Sequence, residues 1–111
     1  MRTKLVVAIV VSAGVLAAGA PVLAHPVYLK NDQLIDRFVR DGLVGLEVYH
    51  SGHTPEQIRH YEGIADRLKL LPTGGSDYHS ASVKEGLPVG AVKVPCELVE
   101  RLRQWTATRT R

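Results

Sequence analysis

The feature that most constrains the fold of this 111-residue chain is the alternation of strand-like and helix-like segments. Apolar and β-branched runs at 21–24, 43–50 and 70–77 read as strands, and apolar residues at helical spacing follow each of them. The predicted helices cover 31–41, 55–69 and 95–106. Strands that alternate with helices of this length are typical of βαβ units, so the pattern predicts an α/β fold with about three parallel strands and flanking helices.

Each predicted strand is followed by side chains of the kinds that bind metals. The first ends at His25, the second at His50, and the third leads through two glycines into Asp77 and His79. In parallel α/β sheets the functional groups gather at the carboxyl ends of the strands. In extended backbone Asp77 and His79 would project to the same side. A divalent metal, a catalytic dyad or a simple polar turn would each account for that pair.

Composition removes some classes of protein and leaves others open. The single cysteine, Cys96, excludes an intrachain disulfide, and we interpret it as a small packing residue. The net charge of +3 suits a phosphate-bearing substrate without requiring one. Much of the positive charge falls within residues 101–111, which we interpret as a solvated helix face and tail rather than a nucleic-acid patch.

Three segments, in order, resemble the PHP family of metal-dependent phosphoesterases, named after polymerases and histidinol phosphatase. They are "PVLAHP" at 21–26, "GLEVYHSGHTPEQ" at 45–57 and "TGGSDYHS" at 73–80. The resemblance implies a distorted β/α barrel. A complete barrel of eight strands takes about 250 residues. The resemblance therefore assigns residues 21–106 to the C-terminal part of a PHP domain, a partial (β/α) barrel, with 107–111 as a tail.

The resemblance also implies roles for individual residues. It makes His25, Asp77 and His79 ligands of divalent metal ions, which could be Mn, Zn, Fe or Mg. It makes His50 and His53 substrate contacts. Lys30 stands near the position where the family often has a phosphate-binding arginine. Taken without the resemblance, each histidine could equally be a loop residue, and the His-x-x-His spacing of 50 and 53 alone is a weak zinc signal.

The implied activity is hydrolysis of nucleotide or oligonucleotide phosphates, for example as a 3',5'-nucleotide bisphosphate phosphatase or a 5'-3' exonuclease. The expected partner is therefore a phosphorylated small molecule or a short nucleic acid. The His-x-His pair that opens the family's first strand is absent. A missing N-terminal half, or a partner chain, would have to complete the site. The alternatives are a non-catalytic fragment and an exported small metal-binding protein.

The N-terminal segment allows two interpretations. Residues 5–24 carry no charge and follow Arg2 and Lys4, as in a secretory signal peptide. The family places a helix before the "VLAHP" strand, so we favour an apolar helix over 1–20. That interpretation predicts a cytoplasmic protein with no stable membrane partner, whereas a signal peptide would predict export.

Overall fold

The computed structural model describes residues 19–81 and 86–109. In chain order its elements are β1 (Val22–Leu23), a 3₁₀ turn (Pro26–Tyr28), α1 (Gln33–Arg40), β2 (Gly45–His50), α2 (Pro55–Leu68), β3 (Leu71–Gly75) and α3 (Glu97–Arg109). The three strands and three helices predicted between residues 21 and 106 are present, with bounds that differ by a few residues from those expected. The first strand is the shortest element, and β3 ends two residues before Asp77.

The three strands form one sheet in the order β1-β2-β3, and both pairings are parallel. Val22 lies opposite Gly45, and Gly45 lies opposite Leu71. The register between β2 and β3 shifts between Glu47 and Tyr49, so that β2 carries one extra residue there. The predicted α/β class with three parallel strands is confirmed. All three strands therefore end at the same edge of the sheet.

The core lies between the sheet and the first two helices. Leu46 and Val48 of β2 and Ile35 of α1 are completely buried. Leu and Val are apolar, and the burial of such a side chain contributes about 1.5–3 kcal/mol. The remaining buried members of this cluster come from β1, α2 and the residue before β3: Leu23, Tyr61, Ile64, Ala65 and Leu70.

Helix α2 begins with a complete capping box. The Thr54 side chain accepts a hydrogen bond from the Gln57 backbone, and the Gln57 side chain accepts one from the Thr54 backbone. Both bonds satisfy amide groups that have no partner within the helix. Pro55 follows at the first helical position, where its missing N–H costs nothing. The start of α2 is therefore firmly fixed, and with it the end of the loop that leaves β2.

Two polar side-chain contacts join α1 and its N-cap residue to the exposed face of α2. The His60 ring lies 2.6 Å from an Asp32 carboxylate oxygen, and Arg67 donates to Asp36 over 3.0 Å. The Arg67 hydrogen bond holds the pKa of Asp36 below its usual value. Exposed pairs of this kind contribute little to stability. They orient α1 against α2, and His60 is exposed, as the sequence predicts.

Helix α3 packs against β3 through fewer buried apolar side chains than its apolar spacing suggests. Leu98 is buried, but Val99 is exposed although its spacing suggested an inward position. Cys96 is also exposed, so its interpretation as a packing residue is wrong. The helix begins at Glu97 and contacts the sheet along one edge only, which leaves these neighbouring side chains in solvent.

Several predictions fall outside the described residues. The helix or signal peptide proposed for residues 1–20 lies almost wholly in the undescribed segment 1–18. Residues 82–85 and 110–111 are likewise not described. Within the part of the chain that is described, no helix is long and apolar enough to cross a membrane.

We predict that Leu46→Ala lowers the free energy of unfolding by about 2–5 kcal/mol, because it leaves a cavity at a fully buried position in the central strand. Urea denaturation followed by circular dichroism measures this change. Val89→Ala is the matched control: Val89 is 82% exposed, and its truncation should change the unfolding free energy by less than about 0.5 kcal/mol. Equal effects of the two variants would contradict the assigned core.

Candidate functional site

His50 is the centre of a polar cluster at the carboxyl edge of the sheet. It is the last residue of β2 and is only 3% exposed. Its ring centroid lies 5.4 Å from that of His25 and 5.3 Å from that of His53. Its Nε2 lies 3.7 Å from an Asp77 carboxylate oxygen, which is too long for a hydrogen bond. Three of the other five predicted site residues are thus gathered around the His50 ring.

The four-residue turn from His50 to His53 holds both of its histidines through backbone atoms. The His53 amide donates to the His50 carbonyl at 3.0 Å and closes the turn. The Gly52 amide donates to His50 Nδ1 at 2.9 Å. His53 Nδ1 lies 2.7 Å from the Val48 carbonyl, which can only accept, so this nitrogen donates. Both rings are thus hydrogen-bonded to main-chain atoms of the turn or of β2.

The same turn is attached to the loop after β3. The Ser51 hydroxyl donates to the Ser76 carbonyl at 2.9 Å. The Leu87 amide donates to that same carbonyl at 2.8 Å. These two bonds fix the backbone immediately before Asp77, and they explain how its carboxylate comes to face His50.

His25 is placed by a carboxylate that the sequence analysis did not assign to the site. The His25 backbone amide donates to Glu47 Oε2 at 2.7 Å. His25 has φ of 30°, a left-handed conformation, and precedes Pro26. Pro26 begins the 3₁₀ turn, so the chain reverses sharply at this histidine. The signal for Glu47 was present in the sequence, as a single acidic residue within the apolar strand β2.

Asp77 and His79 do not project together, so that expectation is wrong. Asp77 has φ of 58°, which turns the chain out of the extended conformation on which the expectation depended. The Asp77 carboxylate faces His50, whereas His79 is exposed. The His79 ring turns back on the loop, and its Nδ1 donates to the Asp77 carbonyl at 2.6 Å.

The two glycines before Asp77 serve different purposes. A Cβ on Gly74 would lie 2.6 Å from both the carbonyl oxygen and the Cβ of Tyr49, and 2.7 Å from Val94. Gly74 therefore allows β3 and the segment before α3 to approach β2 closely. A Cβ on Gly75 would meet only the Glu47 carboxylate, at an ordinary 3.5 Å.

Tyr28 stands beside the histidines and is 55% exposed. Its ring centroid lies 5.2 Å from that of His25 and 6.1 Å from that of His50. A Cβ on Gly52 would lie 2.7 Å from the Tyr28 hydroxyl, so the turn keeps room for this ring. Tyr78 is exposed as well, next to Asp77.

Backbone strain is concentrated at the predicted site residues. Among the described residues other than glycine, four have positive φ: His25, Lys30, Lys69 and Asp77. Lys69 ends α2, and the other three are predicted metal or substrate residues. Strained conformations of this kind persist where the surrounding structure holds them, and they cluster at functional sites. Lys30 itself is exposed, beyond the 3₁₀ turn.

The predicted metal ligands do not converge within the described part of the chain. No group of three His, Cys, Asp or Glu side chains there is arranged to hold one metal ion. The Nε2 atoms of His50 and His53 are nevertheless buried without a hydrogen-bond partner. Burial lowers the pKa of His53, against the opposing effect of its bond to Val48. These two buried nitrogens are therefore available to a ligand.

Comparison with known proteins gives two partial matches. The chain is 43% identical over 61 residues to the phosphoribosyl 1,2-cyclic phosphate 1,2-diphosphodiesterase of Eggerthella lenta, and the match covers 55% of this chain and 23% of that protein. A crystal structure assigned as a metal-dependent phosphoesterase of Bifidobacterium adolescentis superposes with a TM-score of 0.55 at 39% identity. This superposition covers 65% of the present chain and 24% of the other. No family model matches.

The chain thus spans about a quarter of the length of these relatives. Over that part, the resemblance to PHP-type phosphoesterases is confirmed both by sequence identity and by superposition.

We predict that Gly74→Ala destabilises the protein by about 1–3 kcal/mol, because the added methyl group collides with the Tyr49 backbone. Gly75→Ala is the matched control, since its methyl group makes only an ordinary contact. Thermal unfolding of the two variants side by side measures the difference. A Gly74→Ala protein as stable as Gly75→Ala would show that β2 and β3 are not so closely apposed.

We predict that acid weakens the fold partly through His53. The pKa of its ring is lowered in the folded state, whereas the unfolded chain takes up a proton near its ordinary pKa of 6.5. At pH values below about 6.5 the unfolded state therefore binds more protons than the folded state. The stability that neutral His53 contributes falls with pH over this range, and the loss ends once the pH is below the pKa of the folded state. Urea denaturation between pH 7.5 and 5 measures this loss. His53→Asn should show a shallower pH dependence, and an unchanged slope would contradict the assignment.

Proposed function

We propose that this chain carries part of the active site of a metal-dependent phosphoesterase and acts in the hydrolysis of phosphate esters. The observation that carries the proposal is the cluster of His25, His50, His53 and Asp77 at the shared carboxyl edge of three parallel strands. Two relatives with sequence identities of 43% and 39% are named for phosphodiester or phosphoester hydrolysis. Fold alone would not support an activity, but this site has the chemistry for one.

In this proposal His25, Asp77 and His79 hold the metal. Imidazole and carboxylate suit Mn, Zn or Fe, and carboxylate suits Mg as well. His79 fits the role in detail. Its Nδ1 donates to the Asp77 carbonyl, and metal-binding histidines usually donate their other ring nitrogen to a carbonyl or carboxylate. That bond leaves the lone pair of Nε2 free on an exposed ring.

A divalent ion held there would offset the negative charge of a phosphoryl group and acidify water beside it. The three residues do not converge on one ion in the described part of the chain, so in this proposal each contributes a ligand to a site that further ligands complete. A missing N-terminal half of the domain or a partner chain would supply them.

The substrate side of the site is formed by the two buried histidines and by Lys30. The Nε2 atoms of His50 and His53 are buried and have no hydrogen-bond partner among the described residues. Lys30, exposed near the site, supplies a positive charge for an incoming anion. Tyr28 adds an exposed aromatic face next to His25. These groups suit a phosphate attached to a polar organic molecule better than free phosphate.

We propose a phosphorylated ribose as the substrate class. Nucleotides and oligonucleotides contain it, and so does the phosphoribosyl cyclic phosphate named for the Eggerthella relative. The finer alternatives are a 3',5'-nucleotide bisphosphate phosphatase, a 5'-3' exonuclease and a cyclic phosphodiesterase. Tyr28 favours the nucleotide activities, because an exposed aromatic ring can stack on a base.

We predict that Asp77→Asn reduces both bound metal and metal-dependent hydrolysis of adenosine 3',5'-bisphosphate by at least about tenfold, because removing a metal partner costs that much or more. Mass spectrometry of the elements in dialysed protein measures the metal, and phosphate release measures the activity. Asp41→Asn is the control, since Asp41 is an exposed residue at the end of α1.

The proposal fails if the unmodified chain, supplied with Mn²⁺ or Zn²⁺, retains no metal and binds no nucleotide. Metal retention equal in the Asp77→Asn and unmodified proteins would remove Asp77 from the ligand set while leaving the other ligands in place.

A further inference from the structure

The two buried histidines of the 50–53 turn are held in opposite tautomers. The Gly52 amide donates to His50 Nδ1, so that nitrogen carries no proton and the proton of the neutral ring is on Nε2. His53 Nδ1 donates to the Val48 carbonyl, so its proton is on Nδ1 and Nε2 has a free lone pair. The tautomer of a histidine is set by the bond that its other nitrogen makes.

Both Nε2 atoms are buried, and neither has a hydrogen-bond partner. The His50 and His53 residues are 3% and 8% exposed, and their ring centroids are 5.3 Å apart. One atom is therefore an unused donor and the other an unused acceptor, on neighbouring rings. Buried polar atoms without partners are rare in proteins and call for an explanation.

A metal ion does not explain the pair. His50 could coordinate through Nε2 only by moving its proton to Nδ1, where it would oppose the Gly52 amide proton. A phosphate group alone does not explain it either, because a fully ionised phosphate has only acceptor oxygens and would leave the His53 lone pair unmatched. A ligand that offers an acceptor oxygen next to a hydroxyl group satisfies both.

We propose that His50 and His53 together recognise a phosphate ester with a free hydroxyl group on the adjacent carbon. His50 donates from Nε2 to a phosphoryl oxygen, and His53 accepts from the hydroxyl at its own Nε2. This inference rests on the proposed function and narrows it. A ribose phosphorylated at the 3' position with a free 2'-hydroxyl matches the pair, and the corresponding deoxyribose does not.

The first part of the test measures the tautomers in the free protein. Long-range ¹H–¹⁵N correlation spectra of the histidine rings distinguish a proton on Nδ1 from one on Nε2. We expect the Nε2-protonated form for His50 and the Nδ1-protonated form for His53. The same tautomer in both rings would overturn the inference before any ligand is added.

The second part compares adenosine 3'-monophosphate with its 2'-deoxy analogue, which lacks only the hydroxyl, by calorimetric titration. The unmodified protein should bind the ribose form about tenfold more tightly, the value of one well-made hydrogen bond. His53→Asn keeps a donor for Val48 but deletes Nε2, and it should bind both ligands with the affinity of the deoxy form. His50→Asn keeps an acceptor for Gly52 and should weaken both ligands equally. His60→Asn, on the exposed face of α2, is the control and should leave both affinities unchanged.

The possible failures are distinct. Equal binding of both ligands by the unmodified protein would contradict recognition of the hydroxyl group by His53, but it would still agree with recognition of the phosphate by His50. Loss of discrimination in His50→Asn but not in His53→Asn would overturn the assignment of roles. Absence of binding by either ligand would overturn the inference and count against the proposed function as well.

Discussion

The parallel pairing of β2 with both of its neighbours is the constraint on which the rest of the structure depends. Leu46 and Val48 fix this strand in the core, because their complete burial allows only one face of β2 to meet the helices. Parallel strands point the same way, so the ends of β1, β2 and β3 must reach the same edge. His25, His50, His53 and Asp77 lie at or shortly after those ends, and their proximity is a consequence of the sheet's topology.

Several features at that edge cost stability locally. Positive φ at His25 and Asp77 and two buried ring nitrogens without partners are each unfavourable for the isolated fold. The surroundings hold them in place through bonds that involve backbone atoms: Glu47 to the His25 amide, Gly52 to His50, and His53 to the Val48 carbonyl. The well-packed core therefore acts as a scaffold, and it supports strained groups at the edge where the candidate site lies.

The sequence was sufficient to predict the class of fold, because periodicity and capping are local properties. Thr54 and Pro55 predicted the start of α2 correctly, and β-branched and aromatic residues located β2. The meeting of His25, His50 and Asp77 followed from the parallel order. The separate directions of Asp77 and His79 could not be predicted, since they depend on φ at Asp77, which is set by bonds from Ser51 and Leu87 far away in the chain. The exposure of Val99 likewise depends on how α3 lies on the sheet.

The turn from His50 to His53 has a further consequence for how sequences of this kind can vary. Its hydrogen bonds join main-chain atoms to the two rings, so the number of residues between the two histidines is constrained. An insertion or deletion of one residue would separate the Gly52 amide from His50 and the His53 ring from the Val48 carbonyl together. The length of this turn therefore determines the relative positions of the two rings. Changes in the length of this turn should therefore be selected against in related chains.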